Sequence, residues 1–309
     1  MFVVSSSLTP KVLTVSDHDD PTTPSATSPS NTSLCAWVGR TETKHDTVRV
    51  QPARFMDAAL GRGSQLELGD ELPALWHWLY FLDASPAGEL GRDGHPRKGG
   101  FLPPVDLPRR MWAGGRFEFH HPLMLGADVR RVSTVVAVKP KSGRSGDLYF
   151  VTVRHEVFIG IVLAITEEHD IVYREDPTPG SPAPAPRAAP DGADASETIT
   201  PTQVMLFRYS ALTFNAHRIH YDVDYARTVE GYDGLVVHGP LVATLLVDLA
   251  TRTYGFQPRR FDFRAVAPIT DDSTFDIELR RDGDTAQLWA RRGNGALAMT
   301  ASADFGSHR

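Results

Sequence analysis

The sequence predicts an α+β fold, and three observations carry that prediction. Towards the C-terminus one long apolar helix is followed by a run of strand candidates separated by hairpin turns. A second run of strand candidates closes the first half of the chain, with a proline-rich break between the two runs. A short phrase also repeats: Phe117-Glu118-Phe119 leads to Pro122-Leu123, and Phe261-Asp262-Phe263 leads to Pro268-Ile269, each before an acidic turn. Two related halves in one chain are therefore expected.

Residues 1–48 are rich in Ser, Thr, Pro and Asp and show little apolar periodicity, which predicts a disordered tail. Serines follow Met1-Phe2-Val3-Val4 at once, and Asp17, Asp19 and Asp20 precede the first arginine, Arg40. Neither a secretory nor a transit signal is expected from that pattern. The N-terminal domain is expected over 49–175. Its aromatic run at 75–82 suggests a buried strand. Strands are predicted over 116–125, 129–139, 148–159 and 162–173, separated by Gly, Ser and Asp clusters. At 176–198 six prolines alternate with Ala, Gly and Asp, the composition of a semi-rigid linker.

The C-terminal domain is expected over 199–309. It opens with a short β-prone run at 204–210. Residues 240–254 carry Leu241, Val242, Leu245, Leu246, Leu249 and Ala250 on one face of a 3.6-residue period. Pro240 suits a first helical turn and Gly255 a helix stop. Strands are predicted over 260–266, 274–279, 286–291 and 296–303, with Asp282-Gly283 and Asn294-Gly295 as the hairpin turns.

Composition narrows the function. The 309 residues carry 32 Lys and Arg against 38 Asp and Glu, a formal charge of −6. That balance offers no general attraction for nucleic acid or an anionic membrane. A single cysteine, Cys35, excludes an intrachain disulfide and a cysteine-rich metal site, and fits a reducing, cytoplasmic location. The longest apolar run, 157–165, falls well short of the ~20 residues that span a bilayer.

Chemically capable residues concentrate in Tyr209-Ser210 and Phe214-Asn215-Ala216-His217-Arg218-Ile219-His220-Tyr221-Asp222, and continue to Gly231-Tyr232 and Val237-His238-Gly239-Pro240. This segment resembles the MaoC-like, R-specific enoyl-thioester hydratases and dehydratases. Their signature sets an Asp and a His five residues apart, then Gly-aromatic, then His-Gly opening a central helix. The resemblance is specific over 209–249. The wording around Asn215 to Asp222, and the stretch from Asp93-Gly94-His95-Pro96 to Met111-Trp112-Ala113-Gly114-Gly115, is similar to the mesaconyl-, 3-methylfumaryl- and itaconyl-CoA hydratase subgroup.

The resemblance implies a double hot-dog fold, two antiparallel sheets each wrapping a long helix and joined as a pseudo-dimer. The first half would be a degenerate copy that shapes the acyl and pantetheine tunnel. It also implies reversible hydration of an α,β-unsaturated acyl-CoA, with a second carboxylate on the acyl group. His220 falls on the family's catalytic histidine, and Gly239 on the glycine whose N–H faces the thioester carbonyl. Asn215 falls on the catalytic aspartate, a departure, because an amide accepts no proton at neutral pH. His217 stands for the family's asparagine and Arg218 for its proline.

The chemistry gives these residues a purpose of its own. Hydration needs a base at the water, an acid at Cα and donors for the enolate-like oxygen. His220 is the expected base and acid, Asn215 the orienting group, and the Gly239 N–H at a helix N-terminus the oxyanion donor. His217 and Arg218, with Tyr221 and His238 beside them, are candidates for substrate binding; His238 is expected mainly as a structural hydrogen-bonder at the helix entrance. Asp222 is expected to cap a helix starting near Val223. A metal site at His217, His220 and Asp222 lacks the companion motif of a zinc hydrolase. Arg109-Arg110 and Arg259-Arg260 are candidates for the coenzyme A phosphates, although paired arginines are also common on solvated surfaces. No dinucleotide or Walker fingerprint is present, so no cofactor beyond the coenzyme A of the substrate is expected. Two alternatives stay open, a dehydratase acting on an acyl-carrier-protein thioester and a non-catalytic acyl-thioester-binding module. Assembly into a homodimer is also left open.

Overall fold

The computed structural model describes residues 34–143, 146–176 and 185–306. Its strands form one ten-stranded sheet in the order β1-β3-β4-β5-β2-β7-β10-β9-β8-β6. The first half supplies β1 (Thr41–Thr47), β2 (Arg109–Phe119), β3 (Asp128–Gly143), β4 (Gly146–Ile159) and β5 (Val162–Arg174). The second supplies β6 (Ala195–Ile199), β7 (Arg260–Ala265), β8 (Phe275–Asp282), β9 (Thr285–Arg292) and β10 (Leu297–Asp304). The order runs 1-3-4-5-2 in one half and, read from the other edge, 6-8-9-10-7 in the second. The halves are thus copies of one topology, joined antiparallel at β2 and β7.

The repeated phrase lies on that joint. Phe117 pairs with Phe261, Arg116 with Asp262 and Glu118 with Arg260. Arg116 and Arg260 occupy equivalent places in the repeat, as do Glu118 and Asp262, so a pseudo-twofold axis passes between the two phenylalanines. It brings each arginine opposite the other half's acid, with Arg260 Nη2 3.4 Å from a Glu118 carboxylate oxygen. Such cross-strand pairs favour this register over a slipped one. Phe117 and Phe261 themselves are fully buried. β2 bulges between Trp112 and Gly114, and a Cβ on Gly114 would lie 2.6 Å from the Phe263 carbonyl oxygen, which requires glycine at the crossing.

One face of the sheet is covered by helices. α4 (Gly239–Tyr254) follows α1 (Val50–Ala59), α2 (Gln203–Leu212) and α3 (Val223–Thr228) in the chain. Residues 241–247, 249 and 250 of α4 are all buried, and it ends at Gly255 in the left-handed region, φ 86°, whose N–H donates to the Thr251 carbonyl at 2.8 Å. A single apolar cluster spans both halves, from Trp76 and Phe117 to Leu246 and Phe275.

Four details depart from the expectations. Folded chain begins within the segment expected to be a tail: Leu34 and Val48 are buried, and Thr41–Thr47 pairs with β3. The remainder of that tail, 1–33, lies outside the described residues. Likewise the linker is shorter than 176–198, since Ala189 is buried and β6 starts at Ala195; residues 177–184 lie outside the described residues.

Residues 204–210 are helical rather than a strand. Thr202 caps α2 by accepting the Met205 N–H at 3.1 Å, and Leu206, Tyr209 and Ser210 face inward at helical spacing. The aromatic run is a 3-10 turn, Trp76–Leu79, flanked by Leu75 (φ 67°) and Phe81 (φ 57°) in the left-handed region. With the ten-residue α1 it stands where a long central helix was expected for the first half. The reason is polar. Glu167 on β5 is buried, and His77 Nε2 (2.8 Å), Trp78 Nε1 (2.7 Å) and His169 Nε2 all donate to its carboxylate. A 3-10 turn delivers the adjacent His77 and Trp78 to the same carboxylate.

Because the β2–β7 joint rests on two interlocked rings, Phe117→Ala is expected to destabilise the chain by about 3–5 kcal/mol. The exposed Phe207→Ala is expected to stay within about 0.5 kcal/mol of wild type. Urea unfolding of both variants measures the contrast, and equal midpoints would contradict this role for the joint.

Candidate active site

The segment 214–222 is shaped by its own polar side chains. Phe214 takes the left-handed conformation (φ 48°), and Asn215 Oδ1 accepts the His217 N–H at 3.0 Å, an Asx turn. Arg218–His220 forms one 3-10 turn. Asp222 then caps α3, accepting the Tyr225 N–H at 2.9 Å, as expected from sequence. This sequence of turns sends His217 and His220 inward, both buried. Tyr221 turns outward, half exposed, its hydroxyl donating to the Ala216 carbonyl at 3.1 Å.

His220 Nδ1 lies 2.7 Å from the Val236 carbonyl oxygen. A carbonyl only accepts, so Nδ1 carries the proton and Nε2 holds a free lone pair. Burial lowers the imidazole pKa from 6.5 to about 3, so the ring is neutral around pH 7. The ring stacks on His238 at 3.5 Å between centroids, 19° apart in plane. His238 Nε2 in turn shares a hydrogen bond of 2.8 Å with Ser210 Oγ on α2. His238 immediately precedes α4 and caps nothing with its side chain. The first N–H groups of α4 therefore have no side-chain cap, and Pro240 contributes none of its own. A Cβ on Gly239 would meet nothing within 4 Å, so the chain is uncrowded on that side of the helix start.

The first half also reaches the site. The Arg218 N–H donates to the Asp93 carbonyl at 2.9 Å, and Arg218 Nη1 to that of Arg92 at 3.3 Å. Gly94 adopts φ 86°, and a Cβ there would lie 2.0 Å from the Ala216 carbonyl oxygen. Asp93 Oδ2 accepts from His95 Nδ1 at 2.9 Å and Oδ1 from the His95 N–H at 3.0 Å. His95 packs on His217, ring centroids 4.3 Å apart, and His217 is 5.5 Å from His220. Burial pushes the Asp93 carboxyl up, but the His95 hydrogen bond and charge outweigh it and hold Asp93 well below the usual carboxylate range. Asp93, His95 and His217 present ligand-capable atoms within 4.8 Å of one another. Both Asp93 oxygens already accept from His95, which makes this a hydrogen-bonded pair rather than an open coordination set.

Of the residues singled out in the sequence, His220, His217, His238 and Gly239 come together. Asn215 adjoins them but acts on the backbone. The Arg218 guanidinium is held by Asp222, with Nη2 2.7 Å from its carboxylate, and lies 4.2 Å from the Tyr225 ring centroid. The phosphate assignment of Arg109 is corrected: it is buried, ion-paired with Glu230, and donates to the Glu230 carbonyl at 3.1 Å. Its charge is neutralised inside the fold. Arg110 places its charge near Tyr173, His95 and His217. Arg259 Nη1 donates to the Gly306 carbonyl at 3.2 Å, and Arg260 lies on the outer face against Glu118. Asp93 and His95 are functional candidates that sequence reasoning quoted but did not select.

Two predictions follow from this geometry. Gly94→Ala forces the loop off Ala216, and is expected to lower activity more than about tenfold while leaving a folded chain; the strained φ alone costs about 1 kcal/mol. Steady-state turnover beside a thermal melt separates the two effects. The second concerns acid. Burial depresses His155, His217, His220 and His238, so each binds a proton more readily unfolded than folded. Stability is then retained above pH 6.5 and lost as pH falls towards 3, at up to about 1.4 kcal/mol per pH unit for each such ring. Glu167, brought well below 4.5 by His169 and His77 against its burial, adds a further loss below pH 4.5. Urea midpoints from pH 8 to 4 should be level at first and then fall; a level profile down to pH 4 would refute it.

Known proteins show which family shares this fold and sequence. The family model for hydroxyacyl-thioester dehydratase type 2 matches residues 75–271. A mesaconyl-C(4)-CoA hydratase of Chloroflexus aurantiacus is 47% identical over 281 residues, 90% of this chain and 99% of the relative. A mitochondrial hydroxyacyl-thioester dehydratase type 2 of Schizosaccharomyces pombe is 29% identical over 248 residues, 70% of this chain and 79% of the relative. Among solved structures, a MaoC-like dehydratase from Phytophthora capsici superposes with TM-score 0.65 at 13% identity, covering 89% and 98% of the two chains. A Mycobacterium tuberculosis protein described as a double hotdog fold gives 0.50 at 14% identity, covering 86% and 96%. The fold is thus the double hot-dog, and the chain belongs to the MaoC-like hydroxyacyl-thioester dehydratase type 2 family of hydro-lyases.

Proposed function

We propose that this chain reversibly hydrates a short, branched dicarboxylic enoyl-CoA of the mesaconyl-C(4)-CoA type. Similarity to the Chloroflexus aurantiacus hydratase along 90% of the chain supports the acyl class. The observation that carries the chemistry is the stacking of His220 on the residue that opens α4. It sets a free imidazole lone pair beside an uncapped helix N-terminus.

With the thioester carbonyl at the Gly239 N–H, the conjugated double bond lies within reach of His220. His220 Nε2 takes a proton from water as the oxygen bonds to Cβ. The π electrons shift through Cα into the carbonyl, and the resulting oxyanion is held by the Gly239 N–H and the positive end of α4. The imidazolium then returns that proton to Cα, the carbonyl reforms, and His220 is neutral again. Water has been added and nothing is oxidised or reduced, so the reaction so written calls for no redox group.

Arg110 supplies positive charge on the side of His217, and that charge favours an acyl group with a second carboxylate; Arg218 is already paired with Asp222. His217, His238 and Tyr221 stand around the same segment as shaping groups. The acyl-carrier-protein alternative keeps the same residues and differs only in what bears the pantetheine.

The purified protein is expected to bleach the enoyl-thioester absorbance of dicarboxylic enoyl-CoAs more efficiently than that of plain crotonyl-type thioesters. His220→Ala is expected to lower kcat by at least about a hundredfold. Equal efficiency with and without the second carboxylate would reject the acyl class, and an active His220→Ala would reject the base.

A further inference from the structure

His220 as sole acceptor leaves the hydration site short of one group. The attacking water has two hydrogens, and the family sets a carboxylate and an imidazole around it. Asn215 supplies no carboxylate, and its Oδ1 already accepts the His217 N–H. A buried imidazole with so low a pKa is also a reluctant base on its own.

Asp93 does bring a carboxylate to the site, on the loop that the first half lays over the catalytic segment. Because that carboxylate accepts from His95 Nδ1, the proton sits on Nδ1 and His95 Nε2 is a bare lone pair. Burial lowers the His95 pKa too, and Asp93 offsets part of that by stabilising any positive charge arriving on the ring, the logic of a carboxylate behind a catalytic imidazole. The rings of His95, His217 and His220 follow one another, with centroids 4.3 and 5.5 Å apart. His95 is the least enclosed of the three, 24% exposed against 9% and 6%. Three contacts fix the loop: the Arg218 N–H and guanidinium hold the Asp93 and Arg92 carbonyls, and Gly94 meets Ala216 with no room for a side chain. Two other acids near this loop are already paired, Glu230 with Arg109 and Asp176 with Arg92.

We propose that His95 is a second catalytic histidine whose Nε2 accepts the other hydrogen of the attacking water, with Asp93 as its positioning residue in place of the carboxylate missing at Asn215. The inference rests on the hydratase reading, and no bond is made or broken beyond those written for His220. The first half then contributes to the chemistry directly as well as to the tunnel.

The test uses the full-length protein with a dicarboxylic enoyl-CoA, assaying wild type and His220→Ala beside Asp93→Asn, His95→Gln and Asp93→Asn combined with Asn215→Asp. Asp93→Asn keeps an acceptor for the His95 N–H while removing the charge, so the loop is expected to stay in place. It should lower kcat about a hundredfold with KM within about threefold, and His95→Gln should match it. Restoring a carboxylate at 215 should recover at least about tenfold of that loss, which a merely structural defect would not show. Should Asp93→Asn melt early, His95→Gln decides. The proposal is overturned if both single variants keep kcat within threefold of an active wild type, or if their loss lies in KM alone. An inactive wild type would overturn the hydratase reading and this proposal with it, whereas an active wild type with unaffected Asp93 and His95 variants overturns only this one.

Discussion

The pairing of β2 with β7 is the constraint on which everything else rests. Neither half-sheet closes on itself: each presents its inner strand as an edge, and an unpaired edge of that length would attract another chain. Pairing the two edges within one chain removes both at once and places Phe117 against Phe261 at the pseudo-twofold axis. The helical layer and the single apolar cluster then run uninterrupted over both halves. The same pairing brings the loop carrying Asp93 and His95 alongside 215–222, so the site is assembled across the joint.

The halves share topology and differ in what covers the sheet. In the second half the cover is α4, whose buried face is apolar except for Thr244. In the first half Glu167 is buried with three donors around it, and His155 is hydrogen-bonded to Ser133 at 2.8 Å on the neighbouring strands. A buried carboxylate tolerates no loss of partners, which makes this arrangement a strong specifier of one conformation of 76–79. A helix of apolar residues over the same strands would have left Glu167 with His169 as its one donor of the three. The copies have therefore diverged in division of labour: α4 offers a helix N-terminus to the substrate, and the first half offers a rigid platform from which a loop extends.

Much of this was legible in the residues. The strands after 109 and 260 follow from alternating burial and Gly- or Asp-rich turns, and α4 follows from its apolar period with Pro240 and Gly255. Asp222 could be placed because a cap depends on a near neighbour, the Tyr225 N–H, whereas His220 and Gly239 were singled out by the family signature. What failed depended on distant partners. The aromatic run at 76–79 looked like a strand because the carboxylate that bends it is some ninety residues away. Arg109 looked like a phosphate ligand because Glu230 was invisible as its counter-ion. At 204–210 a signal was present, Thr202 with Leu206, Tyr209 and Ser210 at helical spacing, but β-prone side chains masked it. Asp93-Gly94-His95 gave no local reason for selection. Its meaning lies in the Ala216 carbonyl that Gly94 touches and the His217 ring that His95 meets.

The amide at 215 is intelligible once charge is counted. His217, His220 and His238 are buried and neutral around pH 7, and Asp93 is ionised beside them. A second carboxylate at 215 would add a like charge to the segment that the Asp93 loop contacts, and like charges raise one another's pKa. It would also repel an acyl group that brings a carboxylate of its own. An asparagine keeps the Asx turn that aims His217 inward, since Oδ1 accepts the backbone N–H in either residue, and adds no charge. The acids around the site are thereby each paired: Asp93 with His95, Asp222 with Arg218 and Glu230 with Arg109. An acyl group that bears a carboxylate, as proposed above, is favoured only where the negative charge of the site is so paired and a cation such as Arg110 stands nearby.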